Sequence, residues 1–138
     1  EWKVEKIYLV GFSFGAFPAL FSKTPVERKI LITPFVNWNL HKTHEEKELR
    51  KTLIFLEHAY NNVYRIDASA FLKELEQYNY DNHVNSLEKI TVVSGTRDSI
   101  TSTDEIQWLV EKFGAKHVQL EIEHTANLSE QDYAKLLS

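Results

Sequence analysis

Three residue types able to run acyl transfer stand far apart in this sequence, in the order serine, aspartate, histidine: Ser13, Asp98 and His124. Ser13 is the centre of Gly11-Phe12-Ser13-Phe14-Gly15, a G-x-S-x-G. A serine hydroxyl attacks a carbonyl carbon only if a base takes its proton, and an imidazole held by a carboxylate is the usual base. Ser13 Oγ would be the nucleophile. His124 would take the proton and return it to the leaving group, and Asp98 would fix the imidazole tautomer. The Phe14 amide, at a helix start, would donate to the developing oxyanion, where one donor is worth roughly 3 kcal/mol. The chemistry asks for a small acyl substrate and for no metal or organic cofactor.

A turn that presents a serine this way needs particular neighbours. An apolar run from Ile7 to Val10 leads into the motif, and a small and apolar stretch from Ala16 to Phe21 follows it. Such a reversal crowds the residues two before and two after the serine, so glycine at Gly11 and Gly15 is expected to remove colliding Cβ atoms. The plainer reading is a serine that N-caps a helix in any α/β protein, and the motif alone leaves both open.

The remaining elements follow from periodicity and stop signals. The first strand, from Ile7 to Val10, is apolar without alternation, as a strand covered on both faces should be. The helix after Ser13 is expected from Phe14 to about Lys23, with a kink at Pro18. A second strand runs from Arg28 to Thr33 and stops at Pro34. Residues 41–85 read as a helical insert. Leu49, Leu53, Leu56 and Tyr60 recur at helical spacing there, and a second helix starts near Asp67 with the stripe Ala68, Phe71, Leu72, Leu75 and Tyr78. A third strand from Ile90 to Ser94 enters Gly95-Thr96-Arg97-Asp98. Ser102-x-x-Glu105 reads as a capping box, ahead of the apolar face Ile106, Leu109, Val110 and Phe113 and the stop at Gly114. A fourth strand from His117 to Ile122 ends at Glu123-His124. Ser129-x-x-Asp132 opens a last helix, with Leu128 and Tyr133 placed as a staple and Leu136 and Leu137 on its buried side.

The order β-α-β-insert-β-α-β-α implies an α/β fold, a parallel sheet of about four strands with flanking helices. Such sheets gather their chemistry beyond the carboxyl ends of the strands. Ser13, Asp98 and His124 follow the first, third and fourth strands there.

These segments together resemble the C-terminal half of an α/β-hydrolase. Gly11-Phe12-Ser13-Phe14-Gly15 is similar to the nucleophile elbow, Val93-Ser94-Gly95-Thr96-Arg97-Asp98 to the strand and acid, and Glu123-His124-Thr125 to the histidine loop. The order of the three residues is the one found in that family. The resemblance covers essentially the whole chain, residues 1–138, with 41–85 in the place of the helical cap. It implies an esterase-like serine hydrolase acting on an ester, thioester or amide through an acyl-enzyme. Phe12 stands where many members carry histidine, Glu123 where a small residue often precedes the histidine, and Pro18 is unusual. The family's first strands, and the loop that gives the second oxyanion donor, have no counterpart in these residues. The strand from Ile7 to Val10 is therefore expected at a raw edge, pairing with a missing N-terminal segment or another chain. The alternative function is a non-catalytic binding module of the same fold, or an inactive fragment lacking the N-terminal half of that fold.

Composition bounds these readings. The chain has 138 residues, 43% of them hydrophobic and 26% charged, which suits at most one globular domain with a real core. A net charge of −4 without a basic cluster argues against nucleic acid. The apolar stretch from Ile7 to Phe21 is interrupted and too short to span a bilayer. There is no cysteine, hence no disulfide and no thiolate nucleophile. No secretory leader is visible, and a start on Glu1 suggests that the numbered start is not the biological one. A nucleotide site is disfavoured, because no G-x-G-x-x-G or P-loop lysine follows the first strand.

Each candidate also has a bland reading. Asp98 suits any turn after a strand, and Asp104, its nearest rival, reads as a helix-dipole partner. His124 has little competition, since His117 opens a strand and His41, His44 and His58 belong to the insert. The His41/His44 spacing lacks a readable third metal ligand. Phe12, Phe14, Phe35 and Trp38 are candidates to line an acyl pocket, although ordinary core is the plainer reading for Phe12 and Phe14.

Overall fold

The structure, a computed structural model, describes residues 5–40, 51, 54, 55, 58, 67–81 and 89–138. Four strands form one parallel sheet: β1 (Tyr8–Phe12), β2 (Arg28–Ile32), β3 (Lys89–Gly95) and β4 (Lys116–Leu120), hydrogen-bonded in the order β1-β2-β3-β4. The helices whose bounds lie among the described residues are α1 (Ala16–Phe21), α2 (Ala68–Glu76), α3 (Thr103–Phe113) and α4 (Glu130–Leu137), with 3-10 turns at Ser13–Gly15 and Trp38–Leu40.

The chain divides into two compact units. The larger comprises Glu1–Val36 and Asp81–Ser138 and contains the sheet; the smaller is Asn37–Tyr80.

In the larger unit, register sorts the side chains by face. Ile30 and Ile32 of β2, Val93 of β3 and Leu120 of β4 form one cluster with Ile122 and Leu136, so α4 covers that face. Arg28 ties its edge, donating from Nη1 to the Leu136 carbonyl at 3.1 Å. The opposite face carries Lys29 and Leu31 beneath α1. Lys29 is fully buried, and its Nζ donates to the carbonyls of Leu20 and Ser22, each at 2.7 Å. A cation there satisfies the last carbonyls of α1 and opposes the negative end of its dipole.

β1 departs from the expectation of a strand covered on both faces. It forms one edge of the sheet, runs two residues further than expected, to Phe12, and leaves Val10 and Phe12 49% and 43% exposed on the α4 face. Gly11 is buried on its α1 face, and Tyr8, on the α4 face, packs half-buried against the core cluster.

The helix after Ser13 is also shorter than expected. Ser13–Gly15 is a 3-10 turn, so α1 starts at Ala16 and Pro18 lies in its first turn. An amide there has no partner within the helix, so the proline costs no helical bond and the expected kink has no cause. α3 has its N-cap at Ser102 and its C-cap at Gly114. The Ser102 hydroxyl accepts from the Glu105 amide, yet the Glu105 carboxylate does not close a capping box; it is buried and accepts from the Val36 amide at 2.7 Å. α4 does have the full box, between Ser129 and Asp132. Leu136 is buried as expected, whereas Leu137 and Tyr133 are 43% and 47% exposed, because α4 turns only one stripe to the sheet.

In the smaller unit, α2 is capped by Asp67, whose carboxylate accepts from the Ala70 amide at 2.9 Å. Leu75 is buried there, and the Trp38 amide donates to the Tyr80 hydroxyl at 3.1 Å. Lys51, Ile54, Phe55 and His58 are helical. The expected stripe of Leu49, Leu53, Leu56 and Tyr60, and the pair His41 and His44, lie outside the described residues, as do the side chains of Ala68 and Leu72. Among the described residues, no helix is long and apolar enough to cross a membrane.

Candidate active site

Ser13 sits immediately after β1 with φ +50, the left-handed region that non-glycine residues seldom enter. The reason is the closeness of strand to helix. A Cβ on Gly11 would lie 2.6 Å from the Ala19 Cβ and 2.6 Å from the Gly15 carbonyl oxygen. The chain must therefore turn within one residue, and Ser13 takes the strain. Gly15 differs from the expectation: its φ is −65, and a Cβ there would meet nothing within 4 Å. Only one of the two motif glycines is required by contact.

Asp98 follows β3. Its side chain is 2% exposed, and Oδ1 accepts from the amides of Ile100 at 2.8 Å and Thr101 at 3.1 Å. Burial pushes this carboxyl up, but hydrogen bonds from the Thr101 side chain, from the two amides and from His124 outweigh it, so the group ionises below its ordinary value. Asp98 is thus a buried, ionised acceptor.

His124 lies in the loop after β4, at the opposite edge of the sheet from β1. Three strand spacings separate β4 from β1, about 14 Å, so the loop must carry the imidazole back across the sheet. Backbone bonds hold its start on the turn after β3: Thr96 donates to the Leu120 carbonyl at 2.8 Å and Arg97 to the Ile122 carbonyl at 3.1 Å. The Arg97 guanidinium adds a bond to the Glu121 carbonyl at 3.0 Å.

The result brings the three residues together. Ser13 Oγ is 2.9 Å from His124 Nε2, and His124 Nδ1 is 3.2 and 3.3 Å from the two Asp98 oxygens. An ionised Asp98 only accepts, so Nδ1 carries the imidazole proton and Nε2 of the neutral ring accepts from the Ser13 hydroxyl. His124 is 18% exposed at its side chain.

The other candidates fall differently. Phe12, 43% exposed, places its ring 5.7 Å from the His124 ring, so it is not core. Phe14 lies between Phe17 and Phe35, with centroids at 6.3 and 6.1 Å, and forms an apolar group beside Ser13. Trp38 belongs to the smaller unit, where it is 1% exposed. His117 pairs with Ser94 on the exposed surface at 2.7 Å and is not part of the group around Ser13. Asp104 lies in the first turn of α3. No cluster of three or more metal-ligating side chains occurs among the described residues.

Sequence reasoning missed Thr101, Gly95, Thr33 and Lys29. Thr101 supports Asp98 and stands 3.5 Å from His124 Nδ1. Lys29 did carry a signal, a cation leading directly into the apolar run Ile30-Leu31-Ile32; Thr101 carried none.

No protein-family model matches the chain, and no curated protein matches it. Solved structures do. An esterase from Pyrococcus furiosus, in two crystal forms, superposes with TM-scores of 0.54 and 0.53 at 17% and 16% identity. The match covers 94% and 96% of this chain and 50% and 52% of that one, so the chain spans about half the length of the structures it matches. The likeness is one of fold: four parallel strands with flanking helices form half of an α/β-hydrolase fold.

Proposed function

We propose that this chain carries the nucleophile, base and acid of a serine hydrolase that cleaves a carboxylic ester, thioester or amide through an acyl-enzyme on Ser13. The continuous hydrogen-bond path from Ser13 through His124 to the buried Asp98 carries the reading. In the first half-reaction the Ser13 oxygen bonds to the carbonyl carbon while its proton passes to His124 Nε2. The imidazolium, stabilised by Asp98, then protonates the leaving group as the carbon–heteroatom bond breaks. Water, deprotonated by His124, releases the acid in the second half. The Phe14 amide is the oxyanion donor of this proposal, and Phe12 and Phe35 are its candidates for the acyl pocket, for which exposed Phe12 offers apolar surface beside the imidazole.

Partner and completeness belong to the same proposal. The edge of β1 and its exposed Val10 and Phe12 suit pairing with the other half of the fold, on this polypeptide or on another chain. That half would give the second oxyanion donor, without which chemistry slows about a hundredfold or more. A binding module without catalysis is the second reading, favoured by the open β1 edge. Turnover of p-nitrophenyl acetate separates them. An initial burst of nitrophenol, lost in Ser13→Ala, supports the hydrolase. No burst from this chain or from a longer one containing it supports the binding module.

A further inference from the structure

The segment after β2 contains none of the three residues, yet it touches the elements that carry each of them. Thr33 is fully buried and has φ +42. For a β-branched residue that conformation is a genuine outlier, with a cost of about 1–3 kcal/mol. The surrounding bonds over-determine it. The Thr33 amide donates to the Val93 carbonyl of β3 at 2.8 Å, and its hydroxyl donates to the His124 carbonyl at 3.2 Å. Two residues on, the Phe35 amide donates to the Ser13 carbonyl at 3.0 Å. The next amide, of Val36, ends on the Glu105 carboxylate of α3, the helix that follows Asp98.

β2 lies between the strand that carries Ser13 and the strands that carry Asp98 and His124. The loop from β4 has to cross its end. The Thr33 hydroxyl, at β2's end, donates to the His124 carbonyl in that loop, and so it acts on the residue whose imidazole must stay within reach of Ser13.

We propose that Thr33 is a positioning residue for the reaction: its strained backbone turns the hydroxyl onto the His124 carbonyl and so holds Nε2 on Ser13 Oγ. This rests on the serine-hydrolase reading. A shift of the imidazole by a fraction of an ångström is enough to slow proton transfer, and a misplacement of about 1 Å costs about a hundredfold.

The test is the second-order rate of Ser13 labelling by a fluorophosphonate, read by intact mass. Thr33→Val keeps the shape and removes the hydroxyl; it should label about 10- to 100-fold more slowly than the unaltered chain. Thr33→Ser restores the hydroxyl and should label within about threefold of it. Thr33→Gly, at ease at this φ, keeps a folded variant without the hydroxyl should Thr33→Val not fold, and it should be slowed likewise. In a His124→Ala background, Thr33→Gly should leave the residual rate unchanged, because its effect passes through the imidazole. The proposal falls if the folded hydroxyl-free variant labels at the unaltered rate, if Thr33→Ser is as slow as Thr33→Gly, or if the His124→Ala background is slowed as much as the unaltered one. Absence of Ser13 labelling both in the unaltered chain and in a longer one containing it overturns the hydrolase reading, and this one with it.

Discussion

A Cβ built on Gly95 would lie 2.2 Å from the Ile122 carbonyl oxygen and 3.1 Å from the Asp98 Cβ. The last residue of β3 is therefore pressed against the loop that leads from β4 to His124. This closeness lets Thr96 and Arg97 bond to the carbonyls of Leu120 and Ile122, and those bonds set His124 beside Asp98. Gly95→Ala must push backbone away from backbone. It should lower stability by about 1–3 kcal/mol, measured as a shift in urea midpoint, and it should slow any Ser13 chemistry beyond what the lost stability explains.

The two motif glycines make an opposed pair. Gly11→Ala collides with Ala19 and with the Gly15 carbonyl, and should cost about 1–3 kcal/mol while disturbing the serine turn. Gly15→Ala meets open space at an ordinary helical φ of −65. It should be neutral or stabilising by about 0.4–1 kcal/mol. Thermal unfolding of the two variants reads the difference directly.

Asp98 links the site to pH. Burial pushes its carboxyl up, but bonds from Thr101, Ile100 and His124 outweigh that and hold it below its ordinary value in the folded chain. A carboxyl with a folded value below its unfolded one stabilises above the unfolded value and loses that stabilisation as pH falls through the folded one. The unfolded reference is 3.8. The gap in urea midpoint between the unaltered chain and Asp98→Asn should thus be full at neutral pH and shrink below about pH 4. At neutral pH the same variant should lose about 10⁴ in kcat, since an amide can hold the wrong tautomer.

Lys29 anchors the end of the helix that begins behind Ser13. Its fully buried ammonium meets the Leu20 and Ser22 carbonyls. Lys29→Met fills the volume but leaves those acceptors without the cation. A loss of about 1–3 kcal/mol is expected, the cost of a stranded buried polar group, read from the urea midpoint.

Much of the architecture was legible because it rests on local signals. Apolar runs marked four strands, Ser102, Ser129 and Asp67 marked helix starts, and strand–helix alternation gave a parallel sheet. The order Ser13, Asp98, His124 identified the residues that meet. What escaped was decided by contacts distant in sequence. Glu105 looked like a capping-box partner because the spacing was right, but a buried amide at Val36 claimed its carboxylate. Pro18 looked like a kink because the helix was started too early; a 3-10 turn moved the start to Ala16. Thr33 read as one more strand residue, since nothing local announces a positive φ in a β-branched side chain. Leu137 looked buried because it neighbours Leu136, yet the helix turns Leu136 into the core and leaves Leu137 at the margin of that stripe.

The most direct measurement is fluorophosphonate labelling followed by peptide mapping. The account predicts a single adduct on Ser13, absent from Ser13→Ala and slowed at least a hundredfold by His124→Ala, about the effect of losing a general base. An adduct that persists in Ser13→Ala, or a Ser13 rate indifferent to His124, would contradict it.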